Sequence, residues 1–155
     1  PAGIGGKGNE GVAAFVARLP YSIGYVEYSY VKQNKMAYVL MKNAAGNIVA
    51  PQENSFKEAA AAADWARSFH QVLTHQPAAN AWPITAATYI VLPISSAKPQ
   101  ANATILGFFD WAYGQEGDAI ALKLDYVPLP ENVKTIVRQS WASIQHTAGA
   151  AAANQ

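Results

Sequence analysis

At 155 residues and a formal net charge of +1, with 51% of residues hydrophobic and 14% charged, the chain has the make-up of a globular protein, either one domain or part of a two-lobed one. So weak a charge argues against a nucleic-acid or membrane-surface partner, since both rest on clustered lysine and arginine. The absence of cysteine excludes disulfide and thiolate chemistry, no apolar run reaches the ~20 residues needed to span a bilayer, and because Pro1 opens directly into a glycine loop no signal peptide is expected at the start.

Four glycines fall within residues 3–8 (Gly3, Gly5, Gly6 and Gly8), so the chain opens on a loop free to turn or to approach another group closely. Asn9 is placed as an N-cap and Glu10 complements the positive end of the helix that follows. Val12, Phe15, Val16 and Leu19 form one apolar stripe, and Pro20 stops the helix. Residues 23–26 (Ile-Gly-Tyr-Val) read as a short buried strand whose glycine marks a close backbone approach. A glycine loop, a helix N-terminus and Lys7 together can contact an anion. The same residues also fit a tight turn before a core helix, with Lys7 solvated. Gly5-Gly6-Lys7-Gly8 completes neither a P-loop nor a dinucleotide fingerprint, which argues against nucleotide binding.

Residues 28–35 predict one or two helical turns. Residues 36–41 and 48–50 predict a hairpin around the turn chemistry of Asn43-Ala44-Ala45-Gly46-Asn47, closed by Pro51. Ser55-Phe56-Lys57-Glu58 has the form of a capping box with Ser55 as the cap, and the alanines at 59–63 favour helix. A helical face of Trp65, Phe69, Val72 and Leu73 follows, then a loop over 74–80. Residues 88–92 (Thr-Tyr-Ile-Val-Leu) read as a strand buried on both faces. After a loop at 95–100, Ile105, Leu106, Phe108, Phe109 and Ala112 predict a helix ending near Gly114. A further helix spans 118–124, and a proline-stiffened connection spans 125–130. Val133, Ile136, Val137, Trp141 and Ile144 then mark the clearest helix of the chain. From Thr147 onward the residues have nothing to pack, which predicts a frayed tail.

No constellation reads as an active site. His70 and His75 sit five apart on diverging helix faces, and His146 lies beyond the last core stripe, so metal ligation finds little support. No serine occupies a Gly-x-Ser-x-Gly elbow. Asp110, Asp118 and Asp125 are dispersed near helix ends, where capping is the commoner role. Trp65, Trp111 and Trp141 lie on apolar stripes and are expected in the core, which leaves Trp82 as the aromatic to watch.

Residues 5–16 (Gly5-Gly6-Lys7-Gly8-Asn9-Glu10-Gly11-Val12-Ala13-Ala14-Phe15-Val16), Ile23-Gly24-Tyr25-Val26-Glu27-Tyr28, Ala81-Trp82-Pro83-Ile84-Thr85, Phe108-Phe109-Asp110-Trp111-Ala112-Tyr113 and Leu124-Asp125-Tyr126-Val127-Pro128-Leu129-Pro130 carry a resemblance. In this order they resemble the C-terminal half of the PstS family, the periplasmic phosphate-binding receptors of ABC-type phosphate transporters. The resemblance implies an α/β chain forming part of a type II periplasmic-binding-protein-like two-lobed fold, with incomplete lobes and a mixed sheet flanked by helices. Residues 1–87 would belong to the second lobe, 88–146 would return to the first, and 147–155 would be a disordered tail. The family is about twice this length.

The implied function is non-enzymatic. Inorganic phosphate is held by neutral donors, a helix N-terminus, an arginine and an aspartate between closing lobes, then passed to the transporter's membrane subunits. The family's ligand-bearing loop, with its Gly-Ser-Gly-Thr run, has no counterpart in this sequence, so no direct ligand is transferred. Lys7, Gly8 and Asn9 are carried only as cleft lining, on helix-terminus physics. No cofactor or metal is implied. A chain holding only parts of two lobes is expected to self-associate or to pair with the N-terminal half, and the alternative function is a truncated α/β module devoted to self-association or protein interaction.

Overall fold

The computed structural model describes residues 3–94 and 99–152. Among them the elements run α1 (Gly8–Arg18), α2 (Tyr28–Gln33), β1 (Met41–Lys42), β2 (Ile48–Val49), α3 (Glu53–Ala61), α4 (Pro99–Ala112), α5 (Gln115–Lys123) and α6 (Glu131–Ala152). The chain is therefore mixed α and β, weighted heavily toward helix. In place of the expected mixed sheet, the described residues hold one two-stranded antiparallel sheet, with Met41 opposite Val49 and Lys42 opposite Ile48, and an isolated antiparallel bridge between Thr74 and Ile84.

Helix α1 starts at Gly8 (φ +68°), with Lys7 in the capping position. Asn9 is not the cap. Its carboxamide oxygen accepts the Glu27 N–H at 3.0 Å instead, tying the segment after the helix back to its first turn. Gly24 lies so close to α1 that a Cβ there would meet Val16 Cγ2 at 2.8 Å and Val12 Cγ1 at 2.9 Å. The close approach read from the glycine is real, but residues 23–26 form no strand, because no described segment offers them a ladder.

The hairpin forms around its predicted turn. Asn43 N–H donates to Asn47 C=O at 2.9 Å, and Gly46 takes φ +88°. In α3 the capping box is shifted by three residues from the expectation. Gln52 is the cap, and Ser55, at the third helical position, accepts the Gln52 N–H at 2.9 Å. The helix ends at Ala61 rather than running through Leu73. Beyond it, Asp64 Oδ1 accepts the Arg67 N–H, Ser68 Oγ accepts the His70 N–H, and the Gln71 amide donates to the Asp64 and Ser68 carbonyls. Local bonds of this kind offer the backbone an alternative to the helical ladder. Trp65 and Leu73 are buried even so, and the Trp65 indole donates to Ala60 C=O at 2.7 Å.

Residues 88–92 depart furthest from expectation. They are irregular, and 88–91 are exposed, Val91 at 91%. A strand buried on both faces needs neighbours on both sides, and none is present among the described residues.

The predicted stripe of α6 is found. Val133 joins Ala60, Trp65 and Leu73 in the core, with Ala63, Ala87, Leu129, Ile136 and Val137 packed against it. Trp141 stacks on Tyr113 with ring centres 5.9 Å apart. Trp111 is exposed rather than in the core, its indole donating to Glu116 at 3.0 Å. Helix α6 continues to Ala152, past Thr147, where alanine, the residue of highest helix propensity, predominates. Residues 153–155 of the expected tail, and residues 95–98 of the expected loop, lie outside the described residues.

Candidate functional site

The opening loop delivers Lys7, Gly8 and Asn9 to the N-terminus of α1, where Lys7 and Gly8 are exposed and Asn9 is half-buried. Helix geometry leaves the first N–H groups without intrahelical acceptors; the Gly11 N–H, bonded to Lys7 C=O at 3.2 Å, is already engaged. Lys7 makes no ion pair among the described residues. Two features oppose a strong anion site. The Asn9 oxygen is occupied by Glu27, and the Glu10 carboxylate folds back over Gly8, with Oε2 only 2.8 Å from where a Cβ would stand. An incoming dianion would meet that carboxylate at short range, and like charges repel.

Several of the remaining charged groups are paired. Asp110, Asp118 and Asp125, expected as helix caps, each hold a cation: Arg138, Lys134 and Lys32 respectively. Arg138 Nε lies 2.8 Å from Asp110 Oδ1, and its terminal nitrogen 3.4 Å from the Asp110 carbonyl. The two side chains line a cavity of about 340 Å³ with Ala103, Leu106, Gly107 and Trp141. That guanidinium is already neutralised by its carboxylate. Burial raises the pKa of nearby Tyr113 above its ordinary value, with the charge of Arg138 pulling the other way.

Lys134 was invisible as a special residue in the sequence. It is 1% exposed, with Nζ 2.5 Å from Asp118 and 2.7 Å from Glu131. Burial alone would lower its pKa, but the two carboxylate bonds outweigh burial and hold it above 10.5. The Glu131 three residues earlier was a visible clue; the contribution of Asp118 from α5 was not.

Trp82 is buried against Phe56, their rings meeting edge-on at 6.4 Å, so it offers no open platform. The loop before it is clamped by side chains. Asn43 Nδ2 donates to Ala79 C=O at 2.8 Å and to Ala81 C=O at 3.2 Å, Asn47 Nδ2 donates to Ala79 C=O at 2.9 Å, and Glu58 accepts from both the backbone and side chain of Asn80. Asparagine suits this task because one amide both donates and accepts.

His70 and His75 are exposed, and among the described residues no group of three potential ligands could hold a metal. Nor is any helix among them long and apolar enough to cross a membrane.

No protein-family model matches the chain. Individual proteins do. The chain is 48% identical over 143 residues to the phosphate-binding protein PstS of Pasteurella multocida, covering 91% of this chain and 41% of that protein. It is 45% identical over 141 residues to PstS of Haemophilus influenzae, covering 90% and 42%, and 45% identical over 145 residues to PstS of Xylella fastidiosa, covering 92% and 40%. The chain thus spans about two-fifths of the length of the curated relatives it matches. Over nine-tenths of its own length it is similar to PstS phosphate-binding proteins, and the resemblance carried by its motifs is borne out.

Proposed function

We propose that this chain is the C-terminal portion of a periplasmic receptor that binds inorganic phosphate and delivers it to the membrane subunits of an ABC importer, by closure of two lobes and without catalysis. The observation that carries this reading is the identity of 45–48% to proteins named for phosphate binding, sustained along nine-tenths of the chain. In this reading residues 1–87 belong to the second lobe of a type II two-lobed fold and residues 88–146 return to the first. The groups that grip phosphate lie in the three-fifths of the relatives' length that this chain does not match. Two features support that placement: Arg138, Lys134 and Lys32 are already committed to carboxylates, and Glu10 crowds the helix N-terminus beside Lys7. Lys7, Gly8 and Asn9 line the cleft without ligating the ion. The alternative of a self-associating module without ligand is not favoured by this similarity.

Calorimetric titration with phosphate tests the reading. The 155-residue chain alone is expected to show no micromolar binding, and a receptor that joins it to the unmatched portion of a PstS relative is expected to bind. Tight binding by the chain alone, or none by the completed receptor, would overturn it.

A further inference from the structure

The end of α5 is built against its own backbone preference. Tyr126 N–H bonds to Ala121 C=O at 2.9 Å and Asp125 N–H to Leu122 C=O at 3.1 Å, the nested pair of bonds that closes a helix when the next residue turns left-handed. Asp125 is that residue, at φ 63°. Glycine is the ordinary occupant, because a side chain is disfavoured there. An aspartate is opposed a second time, since its carboxylate stands at the negative end of the helix dipole. Such an outlier calls for a compensating contact.

The contact is Lys32 of α2, whose ammonium is ion-paired to Asp125 Oδ1 and lies 5.9 Å from the Tyr28 ring centre. The hydrogen bond to Asp125 is the leading cause of the raised pKa of Lys32. Four non-glycine residues take positive φ, Tyr21, Lys35, His75 and Asp125, and among the described residues Asp125 alone of these is ion-paired. The chain after Asp125 leads directly to Leu129 and Val133, which pack on Trp65 and Leu73. The pair therefore joins the two portions of the chain at the same joint, between α5 and α6, that carries their shared apolar cluster.

We propose that Lys32 and Asp125 form a fastener between the two portions of the receptor, holding the α5–α6 joint against α2 and so setting how freely the lobes move as phosphate is captured. This rests on the assignment of residues 1–87 and 88–146 to different lobes.

Hydrogen exchange on the 155-residue chain and phosphate titration of the completed receptor test it together. Asp125→Gly removes both backbone penalties, so amides at 121–126 should exchange no faster than in the parent. Amides of α2 should exchange faster by about threefold, the scale of an exposed ion pair, as they should in Lys32→Met. Lys32→Arg should retain the parent values. In the completed receptor the same Gly and Met substitutions should shift the phosphate Kd by a similar factor. Unchanged α2 exchange in both variants overturns the fastener, and so does an unmoved Kd in a receptor that binds phosphate. If the unsubstituted receptor fails to bind phosphate, the functional reading falls, and the α2 exchange alone then decides whether the pair fastens the joint.

Discussion

Lys134 and Asp118 meet at 2.5 Å across the contact between α6 and α5, with the lysine sealed from solvent and the aspartate partly open to it. Removing one partner of such a pair strands the other, whereas replacing the lysine by an apolar residue removes the charge that needed a partner. Asp118→Ala is therefore expected to lower stability by about 2–3 kcal/mol, below the fully stranded case because Glu131 still holds the ammonium. Lys134→Met should be milder. Urea unfolding of the two variants checks this, and a lysine substitution as damaging as the aspartate one would contradict it.

The same cluster sets a pH window. The hydrogen bond from Lys134 holds the Glu131 carboxyl below its ordinary 4.5, so its stabilisation is present above that value and is lost as pH falls through the lower folded one. Lys134, held above 10.5, contributes fully below that value and loses its contribution as pH rises through the higher folded one. Between those limits these two groups should leave stability flat. Glu131→Gln is expected to flatten the acid limb of the urea midpoint against pH; an unaltered acid limb in that variant would refute the assignment.

Two glycines in the C-terminal half should respond in opposite directions to alanine. A Cβ at Gly117 would stand 2.1 Å from the Ala112 carbonyl oxygen, so α4 and α5 would have to separate, at about 1–3 kcal/mol. At Gly107 nothing lies within 4 Å, and alanine should stabilise α4 by about 0.5–1 kcal/mol. Melting temperatures of the pair, taken side by side, give the sign of each.

Asn43 is buried, with its Nδ2 donating to the Ala78, Ala79 and Ala81 carbonyls and its oxygen accepting the Asn47 N–H at 3.0 Å. Asn43→Ala should cost about 1–3 kcal/mol, the usual effect of leaving buried polar groups unpartnered. Asn43→Asp should be worse near neutrality, because an ionised carboxylate cannot donate to Ala79 and Ala81, and should recover partly in acid as the protonated group regains a donor. Thermal melts at two pH values distinguish the variants.

What could be read from the residues was whatever periodicity and turn chemistry encode. The stripe through Val133, Ile136 and Val137, the turn at Asn43 to Asn47 and the close approach at Gly24 all appear where they were expected. Residues 88–92 misled because their composition describes a strand between neighbours, and composition does not say whether the neighbours are there. Trp65 to Leu73 misled because helical spacing of apolar residues is also met by a coil that buries only its two ends. At the candidate site, the glycine-rich loop and Lys7 were legible. That Asn9 would answer to Glu27, and the three aspartates to three distant cations, depends on contacts no local pattern contains.

The bare run from Thr88 to Leu92 also bears on handling. Its first four residues are β-branched or aromatic and face water, and the run carries no charge, the profile from which fibrillar stacking begins. Concentrating the chain for crystals or for magnetic resonance is therefore expected to end in gels before it ends in lattices. A single lysine in place of Val91, whose side chain touches almost nothing, would be the simplest gatekeeper.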